Sequence, residues 1–344
     1  MITAWIAGDC WLKSGGAALD LKSLWGEARP EILALNLECA VQAGTARAGR
    51  GALLPLDPRR LPEIAIAENN VALMANNHVS DFGPEGLLAT LQALRRAGFR
   101  SVGAGSSLAE ARTPEIIQVA GRRIGMLAYA DTAPHVGSVA ATDTAPGVAP
   151  LIPEMIIADV RQTTAQVDDV WLFLHWGIEY VRYPEPKQRQ LARAFAEAGA
   201  HLIVGIHPHV VSGNETIADT PVYYSMGNFA FPPILLSDGS ILPWGRASRH
   251  GLMLKGTLGI DAWNWTSFPV LISDDGTPSA PQPDEEQIVR RDFSELSLTL
   301  NDEYLQNYPS LRRGDLFRHR LWRLWMMTWP ERIRLLRRRI SGRR

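Results

Sequence analysis

The chain has 344 residues, of which 46% are hydrophobic and 21% are charged, so it is long enough to bury the core of a large globular domain. A net charge of −1 excludes an overall preference for nucleic acids or other polyanions. Two cysteines, Cys10 and Cys39, are too few for a disulfide framework and are typical of a reducing compartment.

No segment has the pattern of a secretory signal or of a membrane span. The first residues, MITAWIAGD, have the pattern of a strand, whereas a signal needs a basic start and an apolar stretch that ends in small residues. A run of about 18 apolar residues does not occur. We therefore expect a cytoplasmic protein.

Short apolar segments, typical of buried strands, recur through the first 230 or so residues and end in polar residues. In chain order these ends are Asp9, Glu38, Asn77 with His78, His175, His207 with His209, and Asn228. Segments of helical periodicity lie between them, at about 57–69, 84–97 and 184–198. Strands that alternate with helices predict an α/β fold with a sheet buried on both faces. Ligands of such folds bind at the carboxyl ends of the strands, where these polar residues fall.

The residues at the strand ends are of the types that bind divalent metals. Carboxylate, amide and imidazole groups together suit Mn²⁺, Zn²⁺ or Fe²⁺. The predicted ligands are Asp9, Glu38, Asn77, His175, His207 and His209. This set suffices for one or two ions, with Asp9 or Glu38 as the natural bridge between two. A single histidine at a strand end is more often structural, so the prediction depends on the whole set.

Two residues near the predicted ligand Asn77 are candidates for a catalytic role. His78 is placed to act as a general acid or to stabilise developing charge. Asp81 either orients His78 or caps the helix that begins near Pro84, and we favour the cap.

Other polar residues are candidates for substrate binding. Glu179 and Tyr180 follow a predicted ligand closely and could line a pocket, and Arg182 could pair with an anionic group. Asn228 lies in a turn and could hold either substrate or the neighbouring loop. Cys10 and Cys39 stand next to two predicted ligands, and we interpret them as buried structural thiols because strand alternation turns them to the other face.

Seven short motifs occur in a specific order along residues 1–235. They are AGD at 7–9, NLE at 36–38, ANNHVSDFG at 75–83, GAG at 103–105, HWGIEY at 175–180, GIHPHVVSG at 205–213 and YSMGNF at 224–229. This order resembles the capsule-synthesis CapA family, which is named for poly-γ-glutamate capsule production and is similar in fold to calcineurin-like metallophosphoesterases. The resemblance implies a four-layer α/β/β/α sandwich with a metal site at the strand ends.

The resemblance also implies a role for each matching residue. The implied roles are Asp9 as first-strand ligand, Glu38 as bridging carboxylate, Asn77 with His78 as the Asn-His motif, His175 as the isolated ligand, and His207 with His209 as the terminal pair. The chain departs from the metallophosphoesterase pattern at Trp11, because that pattern begins with Asp-x-His. One of two metal positions is therefore short of a ligand.

We predict two regions, a metallophosphoesterase-like domain over 1–270 and a C-terminal extension over 271–344. The extension begins as an acidic linker and becomes a basic amphipathic helical tail from residue 312. Twelve arginines lie between Arg312 and Arg344. Apolar residues at helical spacing accompany them, namely Trp322, Trp325, Met326 and Trp329. This pattern indicates a helix packed on protein or lying on an anionic membrane, and no module supports nucleic-acid binding.

These features support three hypotheses about function. The leading one is a metal-dependent hydrolase or transferase that acts on an acidic polymer or peptide-like precursor, at an amide, ester or phosphoester bond. The second is a non-catalytic accessory subunit whose tail, 312–344, binds a synthetase, an exporter or the inner face of the membrane. The third is a cytosolic phosphatase or phosphodiesterase.

Overall fold

The computed structural model describes residues 2–26, 29–47, 52–134, 136–235, 241–242 and 244–326. The strands are β1 (Thr3–Cys10), β2 (Ile32–Leu37), β3 (Asn69–Leu73), β4 (Phe99–Val102), β5 (Ala104–Gly105), β6 (Glu115–Val119), β7 (Arg122–Ala130), β8 (Gly147–Val148), β9 (Asp169–His175), β10 (Leu202–Ile206), β11 (Asn214–Ile217), β12 (Thr220–Tyr223), β13 (Asn228–Ala230), β14 (Ile234–Leu235), β15 (Ile241–Leu242), β16 (His250–Leu258), β17 (Trp263–Ile272) and β18 (Pro278–Ser279). The α-helices are α1 (Lys22–Trp25), α2 (Gly83–Arg96), α3 (Leu108–Arg112), α4 (Pro153–Thr164), α5 (Pro186–Glu197), α6 (Pro283–Leu298) and α7 (Tyr304–Met326).

Two β-sheets form the frame of the fold. The larger has eight strands in the order β18-β17-β16-β1-β2-β3-β4, with β13 also paired to β1. The smaller has six strands in the order β11-β12-β10-β9-β7-β6. Strands β1 to β4 are parallel to one another, as are β7, β9, β10 and β12. Parallel neighbours bring their carboxyl ends to one edge of each sheet, which is the edge that bears the polar residues.

The two sheets share one hydrophobic core. Ile6 of β1 and Phe173 of β9 belong to the same buried cluster, although they come from different sheets. The next residue of β9, Leu174, belongs instead to a second cluster with Ile156 of α4 and Phe195 of α5. Because successive residues of a strand face opposite ways, the smaller sheet is covered by the larger sheet on one face and by helices on the other. The predicted α/β fold is confirmed.

The segment predicted to be helical at about 57–69 differs in the structure. Only Pro58–Glu63 is helical, as a 3₁₀-helix, and β3 already begins at Asn69. Pro62 has no amide hydrogen to donate within an α-helix and its ring clashes with the preceding turn, so the regular helix cannot extend. The other two predicted helices are present as α2 and α5, with ends within two residues of those expected.

The C-terminal region packs on the domain as two helices. The acidic segment that we expected to be a linker is α6, in which Val289 and Leu296 are buried. The Ser297 hydroxyl of α6 accepts a hydrogen bond (3.0 Å) from the backbone N–H of Asn214, at the start of β11. In α7, the buried Tyr304 donates a hydrogen bond from its hydroxyl to the Pro184 carbonyl. The domain boundary at residue 270 stays a prediction. In the structure, β17 runs through residue 270, and β18 extends the larger sheet beyond it.

The basic tail is described only in part. Residues 304–326 are helical, but the side chains of Trp322, Trp325 and Met326 and the whole of 327–344, with Trp329, lie outside the described residues. Among the described helices, none combines the length and the apolarity that a membrane span requires.

Glu215 of β11 joins three parts of the smaller sheet and its covering helix. Its carboxylate accepts hydrogen bonds from Nε (2.8 Å) and Nη2 (2.7 Å) of Arg189 in α5, and a third from the Tyr224 hydroxyl (2.6 Å). Burial alone would raise the pKa of Glu215, but the hydrogen bonds from Arg189 and Tyr224 lower it overall.

Replacing Glu215 by Gln should lower the free energy of unfolding by about 1–3 kcal/mol at pH 7, because a charge-assisted pair is lost. The pKa of Glu215 is lower in the folded than in the unfolded state, so its contribution is complete above the unfolded value of about 4.3 and disappears as the pH falls through the folded value. Urea midpoints of Glu215→Gln and the parent should therefore differ at pH 7 and converge at pH 3. Glu197→Gln, at an exposed site at the end of α5, is the matched control. An equal difference at both pH values would contradict this explanation.

Candidate metal centre

The six predicted ligands lie together where the edges of the two sheets meet. Asp9 is near the end of β1 and Glu38 directly follows β2, whereas His175 ends β9 and His207 follows β10. All six side chains are buried, and they are those of Asp9, Glu38, Asn77, His175, His207 and His209. The structure therefore brings together residues up to 200 positions apart in the sequence.

The turn that carries the last two histidines has an uncommon backbone. His207 and His209 have φ values of 102° and 56°, a region that residues other than glycine rarely adopt and that costs about 1–3 kcal/mol. Just before it, β10 passes so close to its neighbour that a Cβ atom on Gly205 would lie 2.0 Å from the Tyr224 carbonyl oxygen. Only glycine fits there, and the turn that follows directs both imidazoles into the cluster.

The carboxylate of Glu38 is at the centre of the cluster. Its Oε1 atom lies 3.8 Å from Nε2 of His209 and 4.0 Å from Nε2 of both His78 and His175. These distances are too long for hydrogen bonds, and Oε1 accepts none from the described residues. A buried carboxylate oxygen without a hydrogen bond is costly unless a cation compensates it.

Two groups of side chains have the spacing of metal ligands, and both include Glu38. Within each group the ligand atoms lie within 4.8 Å of one another, and the groups are Glu38 with His175 and His207, and Glu38 with Asp9 and His209. Two atoms bound to one ion at about 2.1 Å each stand about 3–4 Å apart, so this spacing leaves room for an ion. The residues therefore fit a divalent metal, which the buried Glu38 Oε1 atom independently favours.

The electrostatics of the cluster also favour a bound cation. Burial, followed by the negative charge of Asp9, raises the pKa of Glu38 well above its usual range. Burial would lower the pKa of His209, but the Glu38 and Asp9 carboxylates raise it to about 10. Both shifts have the same cause, which is negative charge held close together in a buried site, and a bound cation would balance that charge.

Two asparagines that the sequence analysis missed hold the carboxylates in place. Asn36 Nδ2 donates to Asp9 Oδ1 at 2.8 Å and to Glu38 Oε2 at 3.4 Å. Asn76 Nδ2 in turn donates to Asn36 Oδ1 at 3.1 Å and to the Leu37 carbonyl at 2.9 Å. The remaining oxygens, Asp9 Oδ2 and Glu38 Oε1, are thereby left for the imidazoles. The sequence offered one signal, since Asn36 and Glu38 are two residues apart and so share a face.

His78 is paired with Asp81 next to the cluster. Its Nδ1 atom lies 2.7 Å from Asp81 Oδ2, and its Nε2 atom faces Glu38. Asp81 Oδ2 also accepts a hydrogen bond from the Leu54 amide at 2.8 Å. Helix α2 begins at Gly83 without a side-chain cap, so our preference for Asp81 as a helix cap was wrong. The alternative, in which Asp81 orients His78, is the arrangement in the structure.

Asn77 and Asn228 each contact a histidine of the cluster. Asn77 Oδ1 lies 3.1 Å from His175 Nε2. Asn228 Oδ1 lies 2.8 Å from His209 Nδ1, and Asn228 Nδ2 donates to the Ser248 carbonyl at 2.9 Å. Asn228 is fully buried, so it orients His209 and holds the neighbouring loop. We expected Asn228 to hold either substrate or the neighbouring loop, and the contact with Ser248 corresponds to the second role.

The three other predicted substrate-binding residues follow β9. Glu179 is exposed, and the half-buried Tyr180 has its ring 6.3 Å from that of His209. Arg182 does not present an open guanidinium, because Nη2 and Nε donate to Asp315 Oδ1 of α7 at 3.1 and 3.3 Å. The Arg182 amide donates to the other oxygen of the same carboxylate. The anionic partner of Arg182 is thus provided by the chain itself.

Trp11, which stands at the third position of the Asp-x-His pattern, is a packing residue. Its indole Nε1 donates to the Pro55 carbonyl at 2.9 Å. Its ring packs edge-on against Phe231, which in turn packs edge-on against His209. The third position of the pattern thus carries an aromatic packing residue in place of a ligand.

Both cysteines are buried as free thiols. Burial raises the pKa of Cys10 to about 12 and that of Cys39 well above its usual value. Neither belongs to a group with metal-ligand spacing among the described residues. The structure agrees with their interpretation as structural thiols.

The chain also matches a known protein family. The profile of the bacterial capsule synthesis protein PGA_cap matches residues 5–233, about two thirds of the sequence. The chain belongs to this family. All predicted metal ligands lie inside the region that PGA_cap matches, whereas α6 and α7 lie outside it.

Individual relatives of the PGA_cap family and solved structures are similar over part of their length. The PGA biosynthesis protein CapA of Bacillus subtilis is 40% identical over 158 residues, which are 46% of this chain and 41% of that protein. A Mycobacterium tuberculosis protein named "Probable polyglutamine synthesis accessory protein" is 30% identical over 229 residues, 61% of this chain and 60% of that protein. The chain thus spans less than two thirds of either relative. A calcineurin-like phosphoesterase structure from Bacillus subtilis shares 14% identity, with a TM-score of 0.42, over 89% of this chain and 99% of that chain.

Replacing Asn36 by Ala should weaken metal binding by about 10- to 100-fold, because Asp9 and Glu38 lose the group that orients them. Titration with Mn²⁺ against a chelating dye measures the affinity. Asn70→Ala is the matched control, since Asn70 is also buried and its side chain forms hydrogen bonds, among the described residues, with the backbone of the nearby Ala67. Equal affinity in Asn36→Ala and Asn70→Ala would show that Asn36 does not position the ligands.

Proposed function

We propose that the chain is a metal-dependent hydrolase or transferase of capsule polymer biosynthesis, and that it acts on amide bonds of a γ-linked glutamate chain. The observation that supports this most directly is the Glu38 Oε1 atom, which is buried, accepts no hydrogen bond from the residues that the structure describes and lies near three imidazoles. The name of the Bacillus subtilis relative, a PGA biosynthesis protein, suggests the polymer.

We further propose that these residues would hold one or two ions of Mn²⁺, Zn²⁺ or Fe²⁺, with Glu38 common to both groups of ligands. Asp9 and His209 would complete one position, and His175 and His207 the other, with the Asn77 amide oxygen next to His175. Bound ions would supply an activated water and polarise the carbonyl oxygen of the substrate. We also propose that the layers of helices and sheets in this fold follow the order α/β/β/α, as in metallophosphoesterases.

His78 is the proposed proton donor. Asp81 accepts the hydrogen on His78 Nδ1, which fixes the tautomer and directs Nε2 into the centre, where the substrate would lie. In hydrolysis of an amide, a bond forms between the water oxygen and the carbonyl carbon, and the bond from carbon to nitrogen breaks. The attacking water gives a proton to the unprotonated Nε2 of His78, and the leaving nitrogen then takes that proton from Nε2. In transfer, an amine or hydroxyl replaces the water.

A second candidate function is that of a non-catalytic accessory subunit at the inner face of the membrane. Helix α7 exposes Leu305, Phe317 and Leu321, and the Mycobacterium tuberculosis relative is named as an accessory protein. In this case the metal would be structural, and the tail over 312–344 would bind a synthetase, an exporter or anionic lipid. Trp11 at the position of a missing ligand also favours it.

Replacing His78 by Asn should lower kcat for cleavage of a γ-linked glutamate oligomer by about 10²- to 10⁴-fold, because the proton donor is lost. Metal content should stay at the level of the parent. Asp81→Asn should reduce kcat as well, since the carboxylate that holds the hydrogen on His78 Nδ1 is lost. The release of free amino groups from the Mn²⁺-loaded protein measures the rate.

His201→Asn is the matched control, because His201 is exposed and precedes β10 at its opposite end. If the metal-loaded parent cleaves neither the oligomer nor p-nitrophenyl phosphate, the accessory function replaces the enzymatic one. Cleavage of p-nitrophenyl phosphate alone would instead indicate a phosphatase.

A further inference from the structure

A cavity of about 500 Å³ lies between the metal centre and the C-terminal helices. One wall comes from residues close to the centre, Tyr180 and Val210, and from the loop over 245–250. The opposite wall comes from α6 and α7, with Ile288, Asp315 and His319 among its members. The cavity is large enough for one or two residues of a peptide-like chain.

The lining of this cavity is positively charged. Arg182, Arg246, Arg291 and Arg318 line it together with Asp292 and Asp315, so four arginines face two aspartates and the net charge is +2 with neutral histidines. Arg182 and Arg318 both donate to the single carboxylate of Asp315. Two guanidinium groups around one carboxylate leave a positive charge in excess, and this attracts a further anion.

Arg246 adds a second uncompensated charge on the wall near the metal centre. It is exposed and forms no ion pair or hydrogen bond with any described residue. It stands on the same loop as Ser248, whose carbonyl holds Asn228 and, through it, His209. An anion bound by Arg246 would therefore lie close to the metal ligands.

Tyr180 connects the cavity with the metal centre. Its ring stacks on His319 of α7, with centroids 3.9 Å apart and planes 6° from parallel, and its centroid lies 6.3 Å from that of the His209 ring. Its φ of 64° lies in the left-handed region, and its amide donates to the Pro208 carbonyl. The backbone of the histidine turn thus fixes the ring at the boundary between cavity and centre.

We propose that this cavity binds a carboxylate of the substrate, one residue away from the bond that lies at the metal centre. Arg246 and Arg318 are the groups that recognise it. The inference rests on the proposed function and deepens it, because it assigns substrate selection to α7 and the 245–250 loop. All but three of the cavity residues follow residue 233 and so lie outside the part of the chain that the family profile matches.

Reversing the charge of either arginine should weaken binding of a pentamer of γ-linked glutamate by about tenfold or more, since an attractive charge becomes repulsive. Arg246→Glu and Arg318→Glu test two separate walls of the cavity. Isothermal titration calorimetry on the full chain loaded with Mn²⁺ measures the affinity, and metal content is determined on the same samples. Inorganic phosphate, titrated in parallel, is the competing anion.

Arg320→Glu is the matched control, because Arg320 is an exposed residue of the same helix, carries the same charge and does not line the cavity. Loss of affinity in both cavity variants, with normal metal content and a normal control, supports the proposal. Unchanged affinity in both cavity variants overturns it, as does a cavity that binds phosphate but not the pentamer. The proposed function would survive either result, because metal content and cleavage by the parent are measured separately.

Discussion

The burial of one carboxylate, that of Glu38, is the constraint on which the rest of the site depends. A carboxylate removed from water is costly, and in the described part of the chain one of its two oxygens accepts a hydrogen bond, from the Asn36 side-chain amide. The other oxygen faces imidazoles from three separate segments of the chain, those of His78, His175 and His209. Such an arrangement is stable when a cation lies among the groups, which explains why so many polar side chains are packed where two hydrophobic sheets meet.

The surrounding structure supports this centre with rigid parts. Parallel strands of both sheets end at the same edge and position the ligands, and the close approach of Gly205 to Tyr224 fixes the start of the histidine turn. The strained backbone of His207 and His209 persists because the packed sheets hold both ends of the turn. The catalytic candidate His78 depends in the same way on Asp81. The acidic C-terminal segment, which we expected to be a linker, is instead a helix that contributes to one wall of the cavity beside the centre.

The convergence of the six predicted ligands was predictable from the sequence, because each of them follows a run of apolar residues. Parallel strands make such ends converge, so Asp9, Glu38 and His175 could be placed near one another without coordinates. The role of Asn36 was missed, and the roles of Asn228 and Asp81 could be given only as alternatives, because asparagine and aspartate are common in turns and caps for local reasons. The contact of Arg182 with Asp315 was also out of reach. It joins residues 133 positions apart through tertiary packing, which periodicity does not encode.

The most direct test of the central claim is metal content by plasma mass spectrometry of the parent chain and of Glu38→Gln. Glu179→Gln, at an exposed site near the centre, is the matched control. A metal centre built around Glu38 predicts about one to two equivalents of a transition metal in the parent and in the control. It predicts a large loss in Glu38→Gln with the fold intact by circular dichroism. A parent chain that binds no metal after incubation with Mn²⁺ or Zn²⁺ at neutral pH would contradict the claim, as would a Glu38→Gln variant with full occupancy.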